Sequence, residues 1–318
     1  MTNMFVADVG GTNIRLAFVK NGQIDTIKKY LCTDFETIYD AIVEFGNEVG
    51  QSRFSAGCIA IACPVNKDQV TMTNHSWSFS KSALKEQLGL DDLFVINDFS
   101  AVAYSLPTLS SEQLIQVGSG EADKRGNIVV FGPGTGLGVE HLTLTNEGWQ
   151  TLDGEGGHVD FAPNDDKDII IWRYLKEKLG RVSGEEVMSG RGIVNIYTAL
   201  ALHENAEVAY DDPADITRRA LDNSDSLCVE SVSQFCRIMG SFAGNLALNL
   251  CTTGGVFIGG GIASRLGNFF VHSDFRKCFE AKGNFSSYVS PIPTYLINEP
   301  DHGLLGALAY LLQQTKRD

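Results

Sequence analysis

Phe5-Val-Ala-Asp-Val-Gly-Gly-Thr-Asn-Ile-Arg-Leu-Ala-Phe18 is an apolar run interrupted once, at Gly10-Gly11-Thr12, and then resumed. The same pattern returns as Ile128-Val-Val-Phe-Gly-Pro-Gly-Thr-Gly-Leu-Gly-Val139. Each stretch reads as a strand running into a Gly-Thr turn and out into a second strand. Glycine lets the backbone approach an anion closely, and consecutive N–H groups in such a turn form a concave anion seat. One such turn is as readily a bare hairpin. Two equivalent turns, one in each half of the chain, imply two lobes gripping one polyphosphate. Gly259-Gly260-Gly261, between a buried strand and a helix, adds a helix N-terminus, which favours anions through unpaired N–H groups and the helix dipole.

Outward from these turns the chain alternates strands and helices. Residues 14–19 continue as a strand, and Asn21-Gly22 predicts a two-residue hairpin turn with residues 23–31 pairing back. From Asp34 to about residue 49, apolar Phe35, Ile38, Ala41, Ile42 and Phe45 recur at helical spacing. Gly57–Cys63 and Leu93–Ile96 read as strands buried on both faces, with helices at Ser80–Leu88 and from Asn97-Asp98 to about Tyr104. The second half opens with a strand at 127–131 and another at 137–145. It continues with helices at 165–179, 184–202, 214–221 and 226–250, strands at 255–258 and 294–297, and a closing helix at 303–313. The pattern predicts two α/β lobes built on mixed sheets: a small domain of residues 1–108 plus 299–318, and a large domain of residues 109–298.

Lys+Arg 25 against Asp+Glu 39 gives a net charge of −14 with no basic cluster, which excludes a nucleic-acid or anionic-membrane binder. Phosphate must then be held by backbone N–H groups, a helix N-terminus or a metal ion. The seven cysteines, at 32, 58, 63, 228, 236, 251 and 278, are odd in number and contain no C-x-x-C pair, as expected of reduced thiols in a cytoplasmic protein. No apolar stretch reaches membrane-span length, and a strand begins so early that no signal peptide is expected. No G-x-x-x-x-G-K-[ST] occurs, and residues 132–138 do not fit G-x-G-x-x-G. Asp8, at the tip of the first strand, is placed to reach a phosphate-bound Mg2+ through water, or to cap the Gly-Gly bend as an Asx turn.

A second set of polar residues suits a polyhydroxylated ligand. Asn97-Asp98 ends a buried strand, where side chains of open α/β sheets emerge toward ligands, although Asp98 is also a good helix N-cap. Glu155 and His158 lie three apart in a loop of glycines that reads as too flexible to serve packing. Glu185 could be a first-turn helix carboxylate, and Asn74-His75 a simple turn. Carboxylates accept from hydroxyls, Asn both donates and accepts, and His does either according to tautomer.

Asp8-Val-Gly-Gly-Thr-Asn13, Thr73-Asn-His-Ser-Trp77, Ile96-Asn-Asp-Phe99, Gly134-Thr-Gly-Leu-Gly138, Gly154-Glu-Gly-Gly-His-Val-Asp-Phe161 and Gly254-Gly-Val-Phe-Ile-Gly-Gly-Gly261 occur in that order. Together they resemble the bacterial glucokinase family of the actin-like ATPase and sugar-kinase superfamily, across essentially the whole chain. The resemblance implies a two-lobed, ribonuclease H-like α/β fold with the active site in the cleft between lobes. It implies ATP- and Mg2+-dependent phosphorylation of the glucose 6-hydroxyl. Asp98 would be the catalytic base, and Asn97, Asp98, Glu155, His158 and Glu185 would hold the sugar. Which of Glu185 and Glu186 enters the site is left open by the motif. Ala7, Asp8, Val9, Gly10, Gly11 and Thr12 would form the first phosphate loop; Gly132, Gly134, Thr135 and Gly136 the second; Gly260 and Gly261 would complete it. The resemblance also allows a homodimer.

Three alternatives stand beside this. Sugar kinases of the repressor/open-reading-frame/kinase type, some acting on other hexoses or amino sugars, carry a zinc-binding Cys cluster after Glu-x-x-His. Here Val159-Asp-Phe-Ala-Pro163 follows, with no Cys until 228. A sugar-sensing regulator on the same fold would carry a DNA-binding segment, for which the acidic balance is wrong. An actin-like ATPase that polymerises would leave Asn97, Asp98, Glu155 and His158 without shared purpose.

Overall fold

The computed structural model describes residues 3–72 and 75–316. They form two compact units. The first comprises residues up to Leu109, Gly148–Thr151 and the segment from Glu299; the second comprises Ser110–Glu147 and Leu152–Asn298. Strand Gly148–Thr151, expected in the large domain, groups with the first unit because its Trp149 exchanges hydrogen bonds with Gln313. The Trp149 N–H donates to Gln313 Oε1 over 3.1 Å, and Gln313 Nε2 donates to the Trp149 carbonyl over 2.8 Å.

In the first unit, β1 (Asn3–Val9), β2 (Asn13–Lys20) and β3 (Gln23–Leu31) form an antiparallel meander. The β2–β3 connection is the expected Asn21-Gly22 pair, with φ of 53° and 77° as a primed two-residue hairpin requires. Helix α1 (Ile38–Glu48) starts later than Asp34, because Thr37 and Asp40 form a reciprocal capping box that fixes the N-terminus there. Strand β4 (Ala56–Ile61) is buried throughout, a short β5 (Gln69–Thr71) and β6 (Ser78–Ser80) pair with each other, and α2 (Lys81–Leu88) is capped by Ser80. Strand β7 (Asp92–Asn97) then runs into α3 (Asp98–Ser105). The sheet order is β3-β2-β1-β4-β7, with β1, β4 and β7 parallel, so their carboxyl ends emerge side by side.

The second unit contains β8 (Leu114–Gln116), β9 (Ile128–Pro133) and β10 (Leu137–Thr145), with β11 (Gly148–Thr151) already assigned to the first unit. Helices α4 (Asp166–Leu179), α5 (Gly190–His203), α6 (Pro213–Leu221) and α7 (Ser226–Leu250) follow. After them come β12 (Gly255–Ile258) and four short helices: α8 (Gly261–Leu266), α9 (Asn268–Val271), α10 (Phe275–Glu280) and α11 (Ser286–Val289). Strand β13 (Thr294–Ile297) ends the unit, and α12 (His302–Thr315) belongs to the first. The order β10-β9-β12-β13 repeats β2-β1-β4-β7, so the two Gly-Thr turns, β1–β2 and β9–β10, occupy equivalent places in two copies of one motif. The single helix expected over 184–202 is divided: a 3₁₀ turn at Gly184–Glu186 precedes α5, which begins where Ser189 caps the Gly192 N–H.

Each unit has its own core. In the first, Phe5, Ile14, Leu16, Ile38, Ile42 and Phe45 are fully buried under α1; in the second, Phe131, Tyr197, Phe235 and Phe270 surround the long α7. The seven cysteines are free: Cys32, Cys58, Cys63, Cys228 and Cys236 are buried, Cys278 partly so, and Cys251 is exposed. Burial pushes the Cys228 and Cys236 thiols up to about 12, so they stay protonated.

Helix α12 lies against α3, the helix that begins at Asp98, and the contact is backbone-close. A Cβ on Gly306 would stand 1.6 Å from the Ala101 carbonyl oxygen. Gly306→Ala must separate the two helices, and the urea midpoint is expected to fall by the equivalent of roughly 1–3 kcal/mol. The same change at Gly22, on the surface hairpin, lacks this backbone clash and is strained instead by the residue's φ of 77°.

Candidate functional site

Strand β1 delivers Ala7, Asp8 and Val9 to the edge of a cavity of about 420 Å³ lined by Asp8, Gly10, Gly11, Thr12, Asn13, Arg15 and Lys29. The turn is closed by the Gly10 N–H donating to the Asn13 carbonyl at 2.9 Å. Gly10 has no positive φ, and a Cβ there would meet only the Asn13 oxygen, at 3.7 Å. The chain's own packing therefore does not require glycine at this position, whereas an anion approaching the backbone does. Gly134, at the tip of the β9–β10 turn, and Gly261 also lack a positive φ, and a Cβ on either would have nothing within 4 Å.

Two neighbouring glycines, Gly136 and Gly260, have structural reasons. A Cβ on Gly136 would lie 2.6 Å from Glu185 Oε2, and Gly260 combines a φ of 82° with a Cβ position 2.5 Å from the Pro133 carbonyl. Gly132 and Gly138 pair across the hairpin, and Gly134 and Thr135 form its tip with Gly136. The Gly134 carbonyl accepts from the Gly190 N–H at 2.9 Å, tying the turn to the start of α5.

Two cations, Arg15 and Lys29, stand beside the first turn in addition to its backbone N–H groups. They face each other across β2 and β3 and both line the first cavity. The signal is present in the sequence: Ile14 and Leu16 are buried, so Asn13 and Arg15 alternate onto the open face. Arg15 donates to Asp8, to Asp301 Oδ1 at 2.9 Å and to the Pro300 carbonyl at 2.7 Å. Asp8 also lies against the first turn of α12, where a Cβ on Gly303 would stand 2.9 Å from its Oδ2. A carboxylate so placed is favoured by the helix dipole as well as by the guanidinium.

At the end of β7 the cap differs from expectation. Asn97 is the N-cap of α3, its Oδ1 accepting from the Phe99 N–H at 2.9 Å, and Asp98 is the first helical residue. Asp98 Oδ1 accepts from the same N–H at 3.0 Å. Burial pushes the Asp98 carboxyl above the ordinary carboxylate range and the nearby Asp8 charge pushes it further, while hydrogen bonds from Phe99 and Asn97 pull the other way. The result is a fixed carboxylate that is a stronger base than a solvated one.

In the second unit, Glu155 and His158 are exposed on a 3₁₀ turn, Gly156–His158, closed by the His158 N–H donating to the Glu155 carbonyl at 3.0 Å. Its glycines do serve packing, against expectation. A Cβ on Gly157 would sit 2.0 Å from the Leu137 carbonyl, and one on Gly156 2.9 Å from Val139 Cβ, so the loop is pressed onto β10. Glu185 joins it there: Oε2 accepts from the Leu137 N–H at 3.0 Å, and Arg191 Nη2 reaches Oε1 at 3.3 Å. Glu186 turns instead toward α5, its carbonyl accepting from Asn195 Nδ2 at 2.9 Å and its carboxylate from Arg191 at 2.7 Å.

Asn97 and Asp98 thus stand in the first unit with Ala7–Thr12, and Glu155, His158 and Glu185 in the second with both later glycine turns. Asn74 lies outside the described residues. His75 accepts from the Trp77 N–H at 3.3 Å and packs edge-on to its ring, as a turn residue does. Among the described residues no group of three or more His, Cys, Asp or Glu could hold a metal ion, and no helix is long and apolar enough to cross a membrane.

Duplicated mixed sheets bearing glycine turns, with a desolvated carboxylate at the strand ends, define a sugar kinase of the actin-like ATPase fold. The fold match is with a crystal structure of a glucokinase from an Antarctic psychrotroph, TM-score 0.93 at 35% identity, covering 98% of this chain and 99% of that one. The ROK hexokinase of Thermus thermophilus shares the fold at TM-score 0.70 and 18% identity, covering 99% of this chain and all of that one. The family model described as glucokinase matches residues 5–314. The chain is 48% identical to the glucokinase of Tolumonas auensis over 98% of its own length and 97% of the relative's. It is 49% identical to that of Cronobacter sakazakii over 97% and 96%. The chain belongs to the glucokinase family.

The glycine geometry separates two substitutions. Gly134→Ala is expected to leave the thermal midpoint unchanged while raising the KM for nucleotide about tenfold, some 1.4 kcal/mol. Gly136→Ala, which collides with Glu185, is expected to lower the thermal midpoint as well. Thermal unfolding followed by circular dichroism, alongside steady-state kinetics, checks both.

Proposed function

We propose that this chain transfers the γ-phosphoryl group of ATP to the 6-hydroxyl of glucose, with Asp98 as the base that takes the hydroxyl proton. The observation that carries the assignment is the Asp98 carboxylate itself: immobilised at the first position of α3, desolvated, and made more basic by Asp8. A primary alcohol is a weak nucleophile, and a base whose pKa lies nearer neutrality accepts its proton more effectively as the oxygen attacks phosphorus.

Asn97, Glu155, His158 and Glu185 would hold the sugar hydroxyls. Glu185 can do so with a defined orientation, since the Leu137 N–H and Arg191 already fix its carboxylate. Residues Ala7–Thr12, Gly132–Gly136 and Gly260–Gly261 would seat the phosphates through backbone N–H groups, with Arg15 and Lys29 supplying positive charge on the first cavity. Charge stabilisation of this kind and positioning supply most of the catalysis in phosphoryl transfer. Asp8 would meet, through water, a Mg2+ ion that arrives on the nucleotide's phosphates, since Mg2+ keeps much of its hydration shell. When bound, the ion would neutralise charge on the transferring group.

ADP formation in a coupled assay is expected to require glucose. Asp98→Asn should lower kcat by about 10²–10⁴ with little change in glucose binding; near-normal turnover would reduce Asp98 to a structural residue. The pH profile gives an independent reading. Because the Asp98 carboxyl is shifted upward, kcat/KM should fall as pH decreases through an apparent pKa above the ordinary carboxylate value of about 4. In Asp8→Asn, which removes the like charge, that acid limb should move to lower pH.

A further inference from the structure

On the second unit, lined by none of the turn glycines, lies a second cavity, of about 610 Å³, that this function does not use. One wall is the outer face of α4, where Ile169, Trp172, Arg173 and Lys176 fall at i, i+3, i+4 and i+7. The opposite face of that helix buries Asp168, Ile171 and Leu175. The other wall is a short two-stranded ladder in which the Phe161 N–H donates to the Val182 carbonyl at 2.9 Å, the Gly184 N–H donates to the Val159 carbonyl at 2.8 Å, and Asp160 bridges Ser183. Phe161, Pro163 and Val182 supply an apolar floor.

Three cationic side chains, Arg173, Lys176 and Arg181, line this cavity against one carboxylate, Asp160, in a chain whose net charge is −14. Asp160 is already engaged, accepting from Arg181 Nε at 2.7 Å. Among the described residues neither Arg173 nor Lys176 forms an ion pair, although the chain's 39 acidic residues outnumber its 25 basic ones. An indole beside unpaired cations suits a ligand that is flat and apolar at one end and anionic at the other.

The ladder also connects the cavity to the residues assigned to sugar. One strand follows the 3₁₀ turn that ends at His158, and the other runs into the 3₁₀ turn that contains Glu185. Arg181 joins them directly, its Nη2 donating to the His158 carbonyl at 2.7 Å while its Nε holds Asp160. An anion in the cavity would compete for this guanidinium and loosen its hold on the His158 carbonyl.

We propose that this cavity binds a small organic anion carrying a flat apolar portion, and that its occupancy is transmitted through Arg181 to the Glu155–His158 loop, weakening sugar binding. The site stands on its own geometry; the effect on sugar rests on the function proposed above. Phenyl phosphate is a suitable probe, with inorganic phosphate and benzyl alcohol as its two halves. Titration is followed by the three tryptophan indole NMR signals, Trp172 being assigned with Trp172→Phe. A saturable shift of the Trp172 signal is expected with phenyl phosphate, at least tenfold weaker with either half and at least tenfold weaker in Arg173→Ala/Lys176→Ala. No saturable Trp172 shift, or equal binding by the double variant, overturns the site. At saturating ATP, phenyl phosphate should raise the glucose KM about fivefold or more while leaving kcat unchanged, and the double variant should abolish the effect. Binding with an unmoved glucose KM overturns the transmission. Because the indole titration needs no turnover, failure of the kinase assignment would leave the binding result readable.

Discussion

The negative charge of Asp8 organises the functional end of the first unit. Left alone, a half-buried carboxylate at a strand tip would repel an incoming phosphate and cost desolvation energy. Arg15 cancels much of that charge and, through Asp301 and the Pro300 carbonyl, ties β2 to the chain entering α12. The first turn of α12 supplies further positive potential. What charge remains is felt by Asp98, whose basicity it raises. One carboxylate thus couples the position of a helix, the charge beside the first glycine turn and the strength of the proposed base.

Duplication of the sheet explains why the glycine turns come in pairs, but the two copies have diverged in how they treat the turn. The first is backed by the cations Arg15 and Lys29. The second is backed by Glu185, which accepts from the Leu137 N–H at its base, and by the α5 N-terminus. The first turn thus has side-chain positive charge beside it, whereas the second leaves its positive potential to backbone N–H groups and a helix start.

Most of this architecture is legible in the sequence because strong local signals agree: Asn21-Gly22 for the hairpin, continuous apolar runs for β4 and β9, and helical periodicity for α7, whose limits of 226 and 250 coincide with the observed ones. The misses occur where side chains compete with backbone. Thr37 and Asp40 take the start of α1 away from Asp34, Ser189 splits the helix expected from 184, and Asn97 takes the cap from Asp98. The packing role of Gly156 and Gly157 is hidden in the sequence because it depends on Leu137 and Val139, strand residues whose closeness only the fold reveals. Arg15 escapes a motif-based reading although the alternation of β2 places it on the open face. The different surroundings of Glu185 and Glu186 cannot be read from motif spacing, since they are set by hydrogen bonds from Leu137 and Asn195.

The distribution of sulfur has its own chemical meaning. Five thiols are enclosed within the two cores and a sixth is partly covered, whereas Cys251, just past the end of α7, faces water. Thiolate, the species that alkylating agents and peroxides attack, is suppressed where burial keeps the proton on sulfur. Electrophiles therefore meet Cys251 first in the native state and Cys278 more slowly, and modification of the five buried thiols tracks opening of the fold. The count of reacted cysteines becomes a gauge of global unfolding, and Cys251 a natural anchor for a spectroscopic label.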